Sequence, residues 1–232
     1  MFLNKKILSL IPARGGSKGI KYKNLKKIGK KSLVENSIRF AKSLKFLDKI
    51  IVSSDYYKIL NIAKSLNVSC HLRSKKLSKD FISDYQVIRN VLKKYKNYDY
   101  ILYLQPTSPF RKKKDIIKAL TQLIKKKCHG SWSVTPVDTK HHPKKILKIE
   151  NKKFIKTYTK SGTKIVARQQ LDEVFIRNGI FYIFSVKEII NQKTIYLKKT
   201  LYYKINYKYF NIDTNQDLQK SRILAKELKY KL

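Results

Sequence analysis

The chain has 232 residues, 42% of them hydrophobic, which is enough to bury one sizeable core and too much for a disordered polypeptide. Lys and Arg number 54 against 15 Asp and Glu, a net charge of +39, yet the lysines are spread over the whole length in a sequence also rich in Ile, Asn and Tyr; the charge therefore reads as compositional, with incidental affinity for nucleic acid and other polyanions. No run reaches 18 consecutive apolar residues, which excludes a helical membrane span, and Cys70 and Cys128 have neither metal-ligand spacing nor the number for a disulfide framework, so a cytoplasmic location is expected.

The opening apolar stretch lacks a small-residue cleavage site, and "KILSLI" (6–11) reads as a buried first strand. A helix is expected over 32–44, where Ser32 and Glu35 have capping-box spacing and Leu33, Ile38, Ala41 and Leu44 share one side. Strand, helix and strand follow at 49–54, 56–66 and 68–72, then a helix at 84–95. "DYILYLQ" (99–105) reads as a central strand stopped by the two prolines of "PTSP". A helix at 113–126 and a strand at 131–137 continue the alternation. Residues 145–158 look like a hairpin turning near Glu150 and Asn151, and 159–179 is irregular. A strand at 179–185, a short helix at 186–191 and a closing helix at 214–231 complete the chain.

Strands alternating with helices of this length indicate βαβ units. The fold class is α/β, a doubly wound and mainly parallel sheet with a small β excursion. Residues 1–232 are read as a single domain, from which 138–179 leaves the main sheet and returns. In open α/β sheets the ligand lies beyond the carboxyl ends of the strands, where residues 12–24, 54–55, 105–111 and 136–145 all fall.

The most unusual of these segments is "IPARGGSKGIKYKN" (11–24). It is neither G-x-x-x-x-G-K-[ST] nor G-x-G-x-x-G. It does combine a Gly-rich turn with the flanking cations Arg14, Lys18 and Lys23, which is what a phosphate requires: backbone N–H groups that can approach, an arginine fork and a lysine point charge. Gln105 follows the central strand with an amide that needs partners if buried. The adjacent His141 and His142 point different ways with no third ligand nearby, so they do not read as a zinc site.

Four segments in order, "PARGGSKGIKYKN", "LQPTSPFR" (104–111), "ARQQLDEVFIRNGIFYI" (167–183) and "IDTNQDLQ" (212–219), resemble the CMP-sugar synthetases, the acylneuraminate cytidylyltransferases. The resemblance spans nearly the whole chain. It implies a Rossmann-like nucleotidyltransferase that joins the anomeric hydroxyl of a sugar acid to the α-phosphorus of CTP, with Mg²⁺ assistance and release of pyrophosphate. It also implies a homodimer in which the 138–179 excursion reaches toward the partner's site. Arg14, Ser17, Lys18 and Asn24 would hold the nucleotide, with Arg14 and Lys23 also serving the chemistry. Arg73 and Asp80 would lie on the nucleotide side as well, an assignment resting wholly on the resemblance. Gln105, Lys145, Arg168, Gln169, Arg177 and Tyr182 would face the sugar, and an arginine there can hold a carboxylate bidentately.

The chain departs from the family at three points. Lys21 stands where a proline is common, which implies a less rigid loop, and Arg177 is shifted by one position in "FIRNG". The family's D-I-D reads Asn211-Ile212-Asp213, leaving Asp213 as the metal ligand and Asn211 as a second candidate whose amide oxygen can accept a hydrogen bond or bind the ion through water, with weaker Mg²⁺ affinity or a slower step expected. Asp217 with Thr214 is assigned instead to capping the last helix. The sugar acid is read as sialic-acid-like, with Kdo, legionaminic and pseudaminic acids as alternatives. A reading of another class is a catalytically weakened nucleic-acid-binding protein on the same scaffold, against which the dispersed lysines argue.

Overall fold

The computed structural model describes residues 1–228. Eleven strands and six helices alternate: β1 Ile7–Pro12, β2 Lys27–Ile28, β3 Lys31–Ser32, α1 Leu33–Lys42, β4 Lys49–Ser54, α2 Tyr57–Ser65, β5 Ser69–Leu72, α3 Asp84–Lys94, β6 Tyr100–Tyr103, α4 Lys113–Lys125, β7 Gly130–Pro136, β8 Leu147–Glu150, β9 Phe154–Thr157, β10 Phe175–Ser185, α5 Val186–Gln192, β11 Thr200–Lys204 and α6 Asn215–Glu227. Residues 229–231 of the expected closing helix lie outside the described residues.

Seven strands form one sheet in the order β11-β7-β10-β6-β1-β4-β5. Strand β1 pairs in parallel with β4 on one side and β6 on the other, and β4 pairs in parallel with β5. Being hydrogen-bonded on both edges, β1 is a continuous apolar run with Ile7, Leu8, Leu10 and Ile11 fully buried. Strand β10 is antiparallel to β6, with Tyr182 opposite Tyr103 and Phe184 opposite Ile101. The chain leaves β1 toward β4 and leaves β6 toward β7, on opposite sides. The carboxyl ends of β1 and β6 are thus where the strand order reverses, the place such sheets open a crevice.

Caps account for several helix starts. Ser32 Oγ accepts from Glu35 N at 3.3 Å, Ser83 and Gln86 form a reciprocal capping box, and Thr214 and Asp217 form another that starts α6. The box at α6 bears out the capping role read for Asp217. Two elements are absent from the sequence reading. The β2–β3 ladder is two residues a side, turning through Gly29 at φ 62°, and is too short to show a period. Strand β11 sits at the end of the sheet order without a bordering turn signal. Strand β10 also starts four residues before the expected 179, because Gly179 at φ 71° interrupts the apolar alternation inside it.

By Cα packing the chain divides into two units, Met1–Ser133 with Asn178–Tyr203 and Tyr207–Leu232, and Val134–Arg177 with Lys204–Asn206. The first has its core in Leu8, Leu10, Ile51, Ile88, Val91, Ile101, Tyr103 and Phe184. A separate apolar cluster joins Ile20, Ile28, Phe110, Ile212, Leu218 and Leu224. It anchors the far end of the first loop, the residue before Asp213 and helix α6 on common ground. In the second unit β8 and β9 pair antiparallel around Asn151 and Lys152, both at positive φ.

Candidate active site

The loop after β1 is tied down from within. Gly15 N donates to Asp55 Oδ1 at 2.9 Å, and Asn24 Nδ2, on a buried side chain, donates to the Arg14 carbonyl at 2.9 Å. Tyr22, left-handed at φ 54°, stacks on Tyr56 with ring centroids 5.4 Å apart. These contacts restrain a loop that has Lys21 in place of a rigid proline. Gly19 is required sterically, since a Cβ there would lie 2.5 Å from the Asp213 carbonyl oxygen. The first loop and the 211–213 segment therefore touch backbone to backbone.

A second turn closes the site. Gln105 to Ser108 make a turn after β6, with Ser108 N donating to Gln105 O at 3.1 Å and Pro106 at its second position. Ile212 N donates to Thr107 O at 2.9 Å, fixing 211–213 beside this turn. Beneath it lies the buried guanidinium of Arg111. Its Nε donates to Ile180 O at 2.7 Å, its Nη1 to Ser37 Oγ at 3.2 Å and its Nη2 to Gln105 O. One side chain thus ties the turn after β6 to the middle of β10 and the middle of α1.

The resulting pocket has a volume of about 630 Å³. It brings together Arg14, Ser17, Lys18, Lys23, Asn24, Arg73, Asp80, Gln105, Asn211 and Asp213 from five separate stretches of sequence. Asp84 and Tyr103 complete its floor. Arg14, Lys18 and Lys23 are each paired with a carboxylate. Asp80 bridges Arg14 Nη1 at 2.7 Å and Lys18 Nζ at 2.9 Å, and these hydrogen bonds hold its carboxyl below the ordinary range. Lys23 Nζ meets Asp213 Oδ1 at 2.7 Å, while Asn211 Nδ2 donates to the other oxygen at 3.2 Å.

Arg73 is 5% exposed, and its buried Nε has no hydrogen-bond partner among the described residues. Burial pushes its guanidinium down from the usual value, partly offset by Tyr103 and Asp55. The buried Tyr103 hydroxyl donates to Asp84 Oδ1 at 2.6 Å, and burial, with Asp84 beside it, raises it well above the ordinary phenol. Asp84 and Tyr103 went unnoticed in the sequence because each lies inside a regular element, where chain position suggests only a helix start and a core residue.

Among the described residues no three His, Cys, Asp or Glu side chains gather closely enough to hold a metal by themselves. A cation at Asp213 would take its remaining ligands from substrate phosphates and water, the usual habit of Mg²⁺, and the exposed Asp213 carboxylate suits that.

The residues read for the sugar are divided. Gln105 lines the pocket. Tyr182 packs in the core against Trp132 and Phe184 at 6% exposure and does not line it. Lys145 and Arg168 share a depression of about 240 Å³ in the second unit, and Gln169 and Arg177 are exposed there. His142 is committed to structure: Nδ1 accepts from Lys144 N at 3.1 Å, and Nε2 lies 3.2 Å from the Asp172 carbonyl oxygen.

The chain is similar to known proteins along its length. It is 28% identical over 229 residues to the post-translational flagellin modification protein B of Campylobacter coli, covering 95% of each chain. It is 30% identical over 201 residues to the CMP-N,N'-diacetyllegionaminic acid synthase of Legionella pneumophila, covering 84% of each. It matches the N-acylneuraminate cytidylyltransferase A of Danio rerio at 28% over 226 residues, with 95% of this chain spanning 51% of that protein. Among solved structures, CMP:2-keto-3-deoxy-manno-octonic acid synthetase complexed with CTP superposes with a TM-score of 0.71 at 15% identity, over 96% of this chain and 99% of the other, a likeness of fold. Residues 8–231 match the cytidylyltransferase family, and with its glycine-rich loop, its parallel sheet and its polar crevice the chain belongs to that family.

Proposed function

We propose that this cytidylyltransferase moves CMP from CTP to the anomeric hydroxyl of a nine-carbon, sialic-acid-like sugar acid. The observation that carries the reading is the meeting of Arg14, Lys18 and Lys23 with Asp213 in one pocket. Three cations suit a triphosphate, and the carboxylate would suit a divalent ion that neutralises charge there.

The sugar hydroxyl oxygen forms a bond to the α-phosphorus, and the bond from that phosphorus to the oxygen bridging to the β-phosphate breaks. Pyrophosphate leaves, and the hydroxyl proton passes to solvent. Arg14 and Lys18 would neutralise the leaving phosphates after exchanging their bonds to Asp80 for bonds to phosphate oxygens. Lys23 would do the same nearer the α-phosphate, on release from Asp213. Mg²⁺, when bound by Asp213 and phosphate oxygens, supplies charge stabilisation at the transferred phosphorus. Ser17 and Asn24 shape the loop around the phosphates, and the unpartnered Nε of Arg73 suits an acceptor on the nucleotide. Gln105 would bridge nucleotide and sugar. By resemblance, Lys145, Arg168, Gln169 and Arg177 would recognise the sugar, with its carboxylate on Arg168.

The relatives matched over comparable length are named for legionaminic acid and for flagellin modification, which supports a legionaminate-type acid as the second reading. A homodimer is part of the proposal. Ile149 and Ile155, opposite each other on the β8–β9 hairpin, are 74% and 68% exposed and suit a partner's surface.

The test is pyrophosphate release from CTP and Mg²⁺ with N-acetylneuraminate, legionaminate, pseudaminate and Kdo in separate reactions. Release with one of the nine-carbon acids is expected; release with Kdo alone would overturn the substrate class. Asp213→Ala should abolish turnover with the far-UV circular dichroism unchanged, and near-normal turnover would remove Asp213 from the chemistry.

A further inference from the structure

We propose that Ser108 and Asn211 are positioning residues that aim the Asp213 carboxylate, an inference that rests on reading Asp213 as the cation-holding group. Ser108, 1% exposed, has two acceptors within reach of its Oγ, Asn211 Oδ1 at 3.2 Å and the Asn178 carbonyl oxygen at 3.4 Å, and the hydroxyl is taken as donating to the nearer, Asn211. With its oxygen engaged, the amide of Asn211 presents Nδ2 to Asp213 and donates to Oδ2 at 3.2 Å. Lys23 holds Oδ1 from the other side at 2.7 Å. Lys23 gives up this bond when it turns to phosphate, so the Asn211 donor on Oδ2 is the one that continues to orient an otherwise exposed side chain.

The surrounding backbone is built to keep this chain of bonds. Ser108 closes the 105–108 turn, and Ile212 N is bonded to Thr107 O, so residues 108 and 211 are held in register across the site. Gly179 leaves the room. At φ 71° it carries no Cβ, and one placed there would come within 2.8 Å of Ser108 Oγ and of Gln105 Oε1.

The chemistry of residue 211 follows. A carboxylate could accept from Ser108 but would face Asp213 as a like charge. An amide can accept from one neighbour and donate to the other. Asn211 therefore acts at this site as a hydrogen-bond donor to Asp213 and not as a cation ligand, and a cation meets a single carboxylate already set in place. This is the way outer-shell partners commonly tune a ligand.

The experiment uses the full chain with CTP and Mn²⁺, a paramagnetic stand-in for Mg²⁺ whose free concentration is read by electron paramagnetic resonance. Asn211 is exposed, so Asn211→Ala carries the test even where Ser108→Ala misfolds. Asn211→Ala is expected to weaken Mn²⁺ binding to the CTP complex about tenfold. It should lower kcat and leave metal-free CTP binding unchanged, while KM for CTP measured with the cation present rises by up to the same factor through linkage. Ser108→Ala should do the same, and the double variant should be no worse than either single one, because both break one chain. Unchanged Mn²⁺ affinity in Asn211→Ala, or additive losses in the double variant, would overturn the pairing. Asp213→Ala separates the underlying reading: if it binds Mn²⁺ as tightly as the parent chain, the cation assignment itself falls, and the positioning role with it.

Discussion

Asp80 and Arg111 show how differently two charged groups behave in one site. Asp80 lies on an exposed stretch, and its carboxylate occupies the Arg14 and Lys18 cations that a triphosphate would need. A ligand phosphate competes with it, so Asp80→Asn should tighten binding of CTP and of pyrophosphate by about threefold, the scale of one exposed ion pair. Isothermal titration reads this directly, and weaker binding would instead make Asp80 a direct contact of the nucleotide. Arg111 is buried and donates to acceptors on β10, on α1 and in the turn after β6. Arg111→Ala leaves those acceptors without their donor and should cost roughly 3 kcal/mol or more of stability, measured by urea unfolding. A loss under about 1 kcal/mol would mean that water replaces the guanidinium there.

Among the elements, β5 carries a titratable group in its interior-facing position. His71 is 7% exposed, lies 3.0 Å by Nδ1 from Ser53 Oγ, and is depressed below its ordinary 6.5 by burial and then by Arg73 and Lys94. The unfolded chain binds a proton at 6.5 that the folded chain refuses. The neutral imidazole therefore contributes its full stability above that pH, and the contribution is lost as pH falls below it. Thermal unfolding from pH 7.5 to 5 should show a decline in Tm that His71→Gln flattens. Parallel declines in both proteins would assign the pH dependence elsewhere. Strand β10 shows a second tension within one element, since Gly179 serves the site at the expense of strand regularity.

At the scale of the whole molecule, the charge of +39 is a field and not a site. The exposed apolar hairpin is the more specific surface feature. Lys148 lies opposite Lys156 on one face, while Leu147, Ile149 and Ile155 share the other. The double variant Ile149→Lys, Ile155→Lys should shift the chain from dimer to monomer in light scattering. A parent chain already monomeric at micromolar concentration would remove the dimer from the proposal.

The alternation of strands and helices, the caps at Ser32 and Thr214 and the phosphate-suited loop were legible in the sequence, because each is a local signal whose physics lies within a few residues. The sequence also pointed to Arg73, Gln105, Asn211 and Asp213 individually, but only through resemblance or chain position. What it could not carry were relations between distant residues: Asp80 on Arg14, Ser108 on Asn211, Asp84 under Tyr103. Tyr182 shows the same limit from the other side, since an aromatic residue near a site motif reads alike whether it faces a ligand or, as here, Trp132 and Phe184. The sequence by itself determined the fold class and the chemical character of the pocket, since periodicity and composition are properties of short segments. Which carboxylate is paired, which amide donates and which guanidinium is buried were decided only by tertiary structure, because hydrogen bonding and burial depend on what the rest of the chain brings within about 3 Å.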